Sequence, residues 1–247
     1  RPIPKEPAHP HHIAWAALNP DAQTEANRVL ANVGKAIAAF ERRIVSRNSP
    51  FDRFAEAALV DGEFDNGHLS PAERRGLSLF LGEGQCHFCH AGPAFSNQEF
   101  ANVGLADRPW LEPADRGRIA GIIQLWENPF RGDGPFSDDP EAGAIKIANL
   151  STSGEQEGQF KVPPLRSIAL SPPYMHGGHF DTLEAAVDHY GTVVEVPDLG
   201  HREDMIQDLT LSAQDVGDIV AFLESLTGEP EPAVLTRQPD SPVYSPQ

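Results

Sequence analysis

Cys86 and Cys89 stand three positions apart, and His90 follows at once. Cys-x-x-Cys-His is the attachment pattern of a c-type haem. Two thiols at this spacing can each add to one vinyl group of the same porphyrin. The next residue then lies beneath the iron, with an imidazole to offer as axial ligand. The chain of 247 residues has only these two cysteines, so none is left for a structural disulfide. Other chemistries fit less well. A thioredoxin-like pair calls for a βαβ setting, which the flanks lack. A zinc knuckle needs a second ligand pair at close spacing, and the ten histidines supply none. The bland reading is a surface cysteine pair beside a chance histidine.

Three helices must hold this motif in place. Ser70-Pro71-Ala72-Glu73 is a capping box with proline at the first helical position. The helix it opens carries Leu77, Phe80 and Leu81 on one side and ends near Gly82–Gly84, so it delivers the motif directly. Asp181-Thr182-Leu183-Glu184 reads as a second capping box. Its helix puts Leu183, Ala186, Val187 and Tyr190 on one face, with Gly191 as the stop. Ser212, with Asp215 three residues on, caps the last helix. Its stripe is Val216, Ile219, Val220, Leu223 and Leu226, and Gly228 ends it.

Upstream, residues 1–19 read as an extended arm in which His9, His11 and His12 hold no metal. Asn19-Pro20 starts a helix that runs to about Val45, with Val29, Leu30, Val33, Ile37, Phe40 and Ile44 at helical spacing. Phe51, Phe54, Ala55, Ala58 and Leu59 suggest a second, short helix closed by Gly62 and Gly67. From Ala91 to Ser171 periodicity fades into glycine, proline and isolated aromatics: Phe95, Phe100, Trp110, Trp126, Phe130, Phe136 and Phe160. So long a loop is expected to wrap something, and the porphyrin is the candidate. Arg166 follows a proline-stiffened stretch and is either a propionate clamp or a surface arginine. Met175, His176 and His179 lie in one turn-rich loop and are possible iron ligands. Tyr190, read alone, is a packed residue with its hydroxyl hydrogen-bonded.

Composition sets the class. A net charge of −17 argues against nucleic acid and anionic membrane surfaces and fits a basic partner. No run of ~18 apolar residues is present to span a membrane. Since c-type haem is normally attached outside the cytoplasm, the chain reads as processed, exported and periplasmic, opening at Arg1-Pro2-Ile3-Pro4 without a signal peptide. The expected fold is mostly α, a cytochrome c-type haem domain with long ordered loops.

The motifs in order resemble the bacterial dihaem cytochrome c peroxidase/MauG family. They are Gly34-Lys35-Ala36-Ile37-Ala38-Ala39-Phe40-Glu41-Arg42, Ser49-Pro50-Phe51-Asp52-Arg53-Phe54, Cys86 to His90, Val162-Pro163-Pro164-Leu165-Arg166, Pro173-Tyr174-Met175-His176-Gly177-Gly178, Leu183-Glu184-Ala185-Ala186-Val187 and Ala221-Phe222-Leu223 to Gly228. The match runs from about residue 27 to 228. It implies that residues 1–66 are the end of a first haem domain with interdomain helices, 67–228 a second, c-type haem domain, and 229–247 an extended tail.

The family carries two Cys-x-x-Cys-His motifs, and this chain has one. The resemblance therefore implies a second haem, at which peroxide reacts, in a half supplied by a separate or cleaved chain. It implies that Tyr190 is the iron ligand opposite His90, where the peroxidases have methionine and MauG-like members have tyrosine. A hard, anionic oxygen favours ferric and higher iron, whereas a thioether favours ferrous iron. The implied function is peroxide-dependent oxidation, directed at a protein residue, with this haem storing or relaying charge. Alternatives are a cytochrome c peroxidase fed by a small redox protein and a monohaem electron carrier. The resemblance also implies a calcium ion between haem domains, held partly by the carbonyls of Ser171 and Pro173. The tryptophan that MauG places two residues before its first haem cysteine is replaced here by Gly84, so MauG's own protein substrate does not carry over.

Overall fold

The computed structural model describes residues 8–106, 114–191, 197, 199–206 and 209–237. Trp110, Arg1 to Pro4 and residues 238–247 of the tail lie outside the described residues. The elements are α1 (Pro10–Ala16), α2 (Pro20–Glu41), α3 (Pro50–Asp61), α4 (Pro71–Leu81), β1 (Phe100–Ala101), α5 (Arg118–Glu127), α6 (Pro140–Ile147), β2 (Phe160–Lys161), α7 (Leu183–Asp188), α8 (Ala213–Glu224) and α9 (Ala233–Thr236). The fold is mostly α, as expected. β1 and β2 form an antiparallel ribbon with Phe100 opposite Lys161 and Ala101 opposite Phe160. The chain divides into two compact units, residues 1–44 with 127–149 and residues 45–126 with 150–247.

In the first unit the expected arm is a short helix instead. His9 caps α1 by accepting a hydrogen bond from His11 N–H at 3.2 Å, so one of the three histidines has a local structural job. Asn19 caps α2 through Ala22 N–H at 2.8 Å, with Pro20 at the first helical position. None of the 22 residues of α2 is buried. Val29, Leu30, Val33, Ile37 and Phe40 are 44–63% exposed. Two α2 side chains have partners in residues 127–149: Lys35 pairs with Asp138 at 2.5 Å, and Arg28 lies over the Phe136 ring. Asp139 caps α6, a helix in the stretch expected to be loop.

The second unit is organised around the crossing of α4 and α8. Both capping boxes are present, Ser70 with Glu73 and Ser212 with Asp215. The helices touch backbone to backbone at Gly76, where an added Cβ would lie 1.9 Å from the Asp218 carbonyl oxygen. Phe80 and Phe222 meet there with ring centroids 5.1 Å apart, and Phe95 and Phe51 close the cluster edge-on. All five residues of the α8 stripe are buried. Each such side chain contributes about 1.5–3 kcal/mol on burial. Leu81 departs from expectation, since it points outward. Arg75 locks the crossing with a bidentate pair to Asp218 at 2.6 and 2.7 Å. That guanidinium holds the buried carboxyl below the usual carboxylate range. The break expected at Pro50 is a helix start: Ser49 and Asp52 form a third capping box, and Gly62 closes α3 at φ +70°. α5, also unforeseen, buries Ile119 and Ile122.

Candidate functional site

α4 stops at Gly82, and the chain turns tightly to reach the motif. Gly84 N–H bonds Leu79 O at 2.8 Å, Gln85 takes a left-handed conformation at φ +53°, and Cys86–Phe88 form a single 3-10 turn. A Cβ on Gly84 would lie 2.8 Å from Leu79 O and 3.4 Å from Cys86 Sγ. A side chain at this position would force the turn to shift.

The turn brings Cys86, Cys89 and His90 to the wall of one cavity of about 430 Å³, within the ~300–1,000 Å³ typical of cofactor sites. Both cysteines are free thiols. Burial pushes Cys86 up to about 11, and burial followed by the charge of Glu203 pushes Cys89 up. Both therefore carry their protons. Burial lowers His90, against the pull of the Phe95 and Pro163 carbonyls, so the ring is neutral near pH 7. His90 Nδ1 lies 2.9 Å from Phe95 O. A proton on Nδ1 satisfies that carbonyl and leaves a lone pair on Nε2, the form in which imidazole ligates metal.

Phe95, at φ +52°, owes its place to the proline-rich segment beside it. Ser96 Oγ–H donates to Val162 O at 2.7 Å, Val162 N–H to Glu99 O at 2.9 Å, and Leu165 N–H to Ala94 O. These bonds extend the β1–β2 ribbon and set Val162, Pro163 and Leu165 into the wall. The far side comes from α7. Its whole expected face, Leu183, Ala186, Val187 and Tyr190, lines the cavity. Thr182, and not Asp181, is the cap, and the last turn is a 3-10 turn over His189–Gly191. Burial, then any charge on Cys86 and Cys89, pushes the Tyr190 phenol up, so it is protonated.

The other candidates divide. Met175, at φ +66°, and His176, stacked on Phe160 at 3.5 Å, also line the cavity. His179 is not among the lining residues; its Nε2 lies 3.2 Å from Ala106 O. Arg166 is not among them either. Its guanidinium donates to Asp52 at 2.5 Å and to Pro93 O at 2.8 Å, and lies over the Phe95 ring. Ser171 and Pro173 line the cavity. Asn102, Leu199, Met205, Ile206, Leu209 and Leu211 also contribute to the wall and were not anticipated from the sequence. No periodicity marks them.

A single Cys-x-x-Cys-His turn, a neutral histidine with a carbonyl on Nδ1 and an apolar cavity of this size fit a covalently attached haem. Fold and site together define a c-type cytochrome domain. No family model matches the chain. It is 33% identical over 202 residues to a cytochrome-c peroxidase of Denitromonas iodatirespirans, covering 78% of this chain and 48% of that one. It is 31% identical over 209 residues to the methylamine utilization protein MauG of Methylorubrum extorquens, covering 84% and 47%. Among solved structures it is similar to a MauG-like protein associated with microbial copper homeostasis, at 28% identity and a TM-score of 0.54, covering 83% and 58%. The chain belongs to the dihaem cytochrome c peroxidase/MauG family. It spans about half the length of the curated relatives named here.

Proposed function

We propose that this chain is the haem c-bearing half of a dihaem, MauG-like oxidoreductase that uses hydrogen peroxide to oxidise a protein residue. Residues 1–66 are then the end of a first haem domain and 67–228 the second. The observation that carries the reading is the company Tyr190 keeps: it shares one cavity wall with Cys86, Cys89 and His90. Bound there, a haem would store and pass on single electrons. The chain's own residues supply the rest. Cys86 and Cys89 would attach it, His90 would offer Nε2 to its iron, and Tyr190 would offer its phenol oxygen from the turn after α7. Leu183, Ala186 and Val187 exclude water from the same side.

The second haem, where peroxide reacts, belongs to a partner half. Two features support it: the family's members are about twice as long, and the apolar face of α2 is uncovered. Calcium held by the carbonyls of Ser171 and Pro173 would join the halves. A periplasmic location agrees with haem attachment, and no helix among the described residues is long and apolar enough to cross a membrane. Counting haems in the purified assembly tests the reading, using intact mass and haem-stained denaturing gels. Two c-type haems, one outside these 247 residues, are expected. A peroxide-reactive particle with one haem and no partner polypeptide contradicts it.

A cytochrome c peroxidase fed by a small redox protein is the second reading. Met175 and Met205 favour it, since each offers a thioether on the same wall.

A further inference from the structure

The stretch from Leu199 to Leu211 has no helix or strand over its described residues, 199–206 and 209–211. It nevertheless contributes Leu199, Met205, Ile206, Leu209 and Leu211 to the cavity wall. A strap without secondary structure needs other partners for its backbone groups, or it will open.

Those partners converge on Asn102, which is 4% exposed. Its Nδ2–H donates to Leu199 O at 2.8 Å, and its Oδ1 accepts from Gly104 N–H at 3.0 Å. Its own carbonyl accepts from Glu203 N–H at 3.0 Å. The neighbours leave no slack. A Cβ on Gly158 would lie 2.8 Å from both Asn102 Nδ2 and Leu199 O, and one on Gly200 would lie 1.9 Å from Glu157 O. Gln159 adds a side-chain bond to Glu203 at 3.2 Å. Further along, Leu209 N–H donates to Tyr190 O at 3.0 Å. The strap is thus seated at one end by Asn102 and bonded at the other to the residue read above as the iron ligand.

We propose that Asn102 is a positioning residue: it seats the strap on the cavity and, through Leu209, fixes the place of Tyr190. This rests on reading the cavity as the haem site. Asn102 touches the end of β1, the Gly104 turn and the strap at once; leucine, of similar bulk, would keep only the backbone bond from Glu203 N–H and would lose both side-chain bonds, to Leu199 O and from Gly104 N–H. Unpairing the buried Leu199 carbonyl leaves an acceptor without its donor, a larger penalty than the bond itself provides.

The test uses the haem-loaded protein and the variants Asn102→Ala, Asn102→Asp and Gly200→Ala. The last unseats the strap by a clash with Glu157 and leaves the asparagine in place. Two quantities are read: amide exchange in peptides covering residues 199–211 against those of α4 and α8, and the six-coordinate fraction of this ferric haem. Asn102→Ala and Gly200→Ala should each speed strap exchange about tenfold, with α4 and α8 unchanged. Each should also lower the six-coordinate fraction. Asn102→Asp keeps the acceptor for Gly104 N–H but sets a carboxylate oxygen against Leu199 O at a buried position, and should speed strap exchange at least as much as Asn102→Ala. Unchanged strap exchange, or an equal rise in α4 and α8 with an unchanged spectrum, overturns the proposal. A Tyr190→Met variant separates the two readings. If its spectrum matches the parent while strap exchange still responds to Asn102, the tyrosine reading fails and the seating role stands.

Discussion

α2 and α7 carry the same signal in sequence and meet opposite fates. Each repeats apolar residues at helical spacing, α2 from Val29 to Phe40 and α7 from Leu183 to Tyr190. The α7 face lies on the wall of the cavity beside α8. The five large side chains of the α2 stripe remain roughly half exposed. Periodicity therefore states that a helix has an apolar partner; it does not state where the partner is. For α7 it is the wall of the cavity. For α2 the stripe stays about half exposed, and exposed apolar stripes mark interaction sites.

The largest effects belong to the cavity. His90→Ala should abolish the low-spin spectrum of this haem while the thioether links persist, because the proximal nitrogen is lost and both cysteines remain. Cys86→Ala or Cys89→Ala should instead impair attachment, read as haem content by intact mass. An unchanged ferric spectrum in His90→Ala would remove the motif from its central place.

An intermediate effect separates the two helix faces. Leu183→Ala in α7 should cost about 2–5 kcal/mol of stability, as for other buried large-to-small changes. Val33→Glu with Ile37→Glu in α2 should change the melting of this chain by no more than about 0.5 kcal/mol, because both positions already face water. The same α2 pair should abolish co-purification with the second half. Strong destabilisation by the α2 pair in the isolated chain would show that its stripe is covered within this chain.

The smallest expected effect is electrostatic. Burial raises the Asp52 carboxyl, but the Ser49 N–H and the Arg166 guanidinium outweigh it and hold it low. Its unfolded value is about 3.9. Being lower in the fold, it contributes stability above that pH and loses it as pH falls through the folded value. Asp52→Asn should therefore flatten the loss of stability below about pH 4 and cost roughly half a kcal/mol at neutral pH, as for a partly buried pair still in reach of water. Equal acid sensitivity of parent and variant would assign the pair no stabilising role.

Local rules were legible and long-range ones were not. The boxes at Ser70 and Ser212, the stripe of α8 and the face of α7 are written within a few residues, and each stands where spacing placed it. The turn that carries Cys86, Cys89 and His90 was legible for the same reason. α5 and α6 were hidden because glycine, proline and aspartate around them mask short helices, and α1 was hidden because its cap, His9, is not among the residues that ordinarily cap a helix. Arg166 was open because its carboxylate partner lies 114 residues away. Asn102 gave no signal at all. Its bonds reach Leu199 and Glu203, and a lone asparagine after a strand reads as any turn residue.

The central claim is that one iron is held between His90 and Tyr190, and its most direct test is Tyr190→Met. Methionine keeps similar bulk on an apolar face, so the fold should persist. The paired measurement is the ferric spectrum and the reduction potential of this haem in variant and parent. A neutral sulfur favours ferrous iron more than an anionic oxygen does, so the expected result is a changed ferric spectrum with a higher potential. Identical spectra and potentials would contradict the claim, make Tyr190 a wall residue, and turn attention to Met175 and His176 on the same cavity.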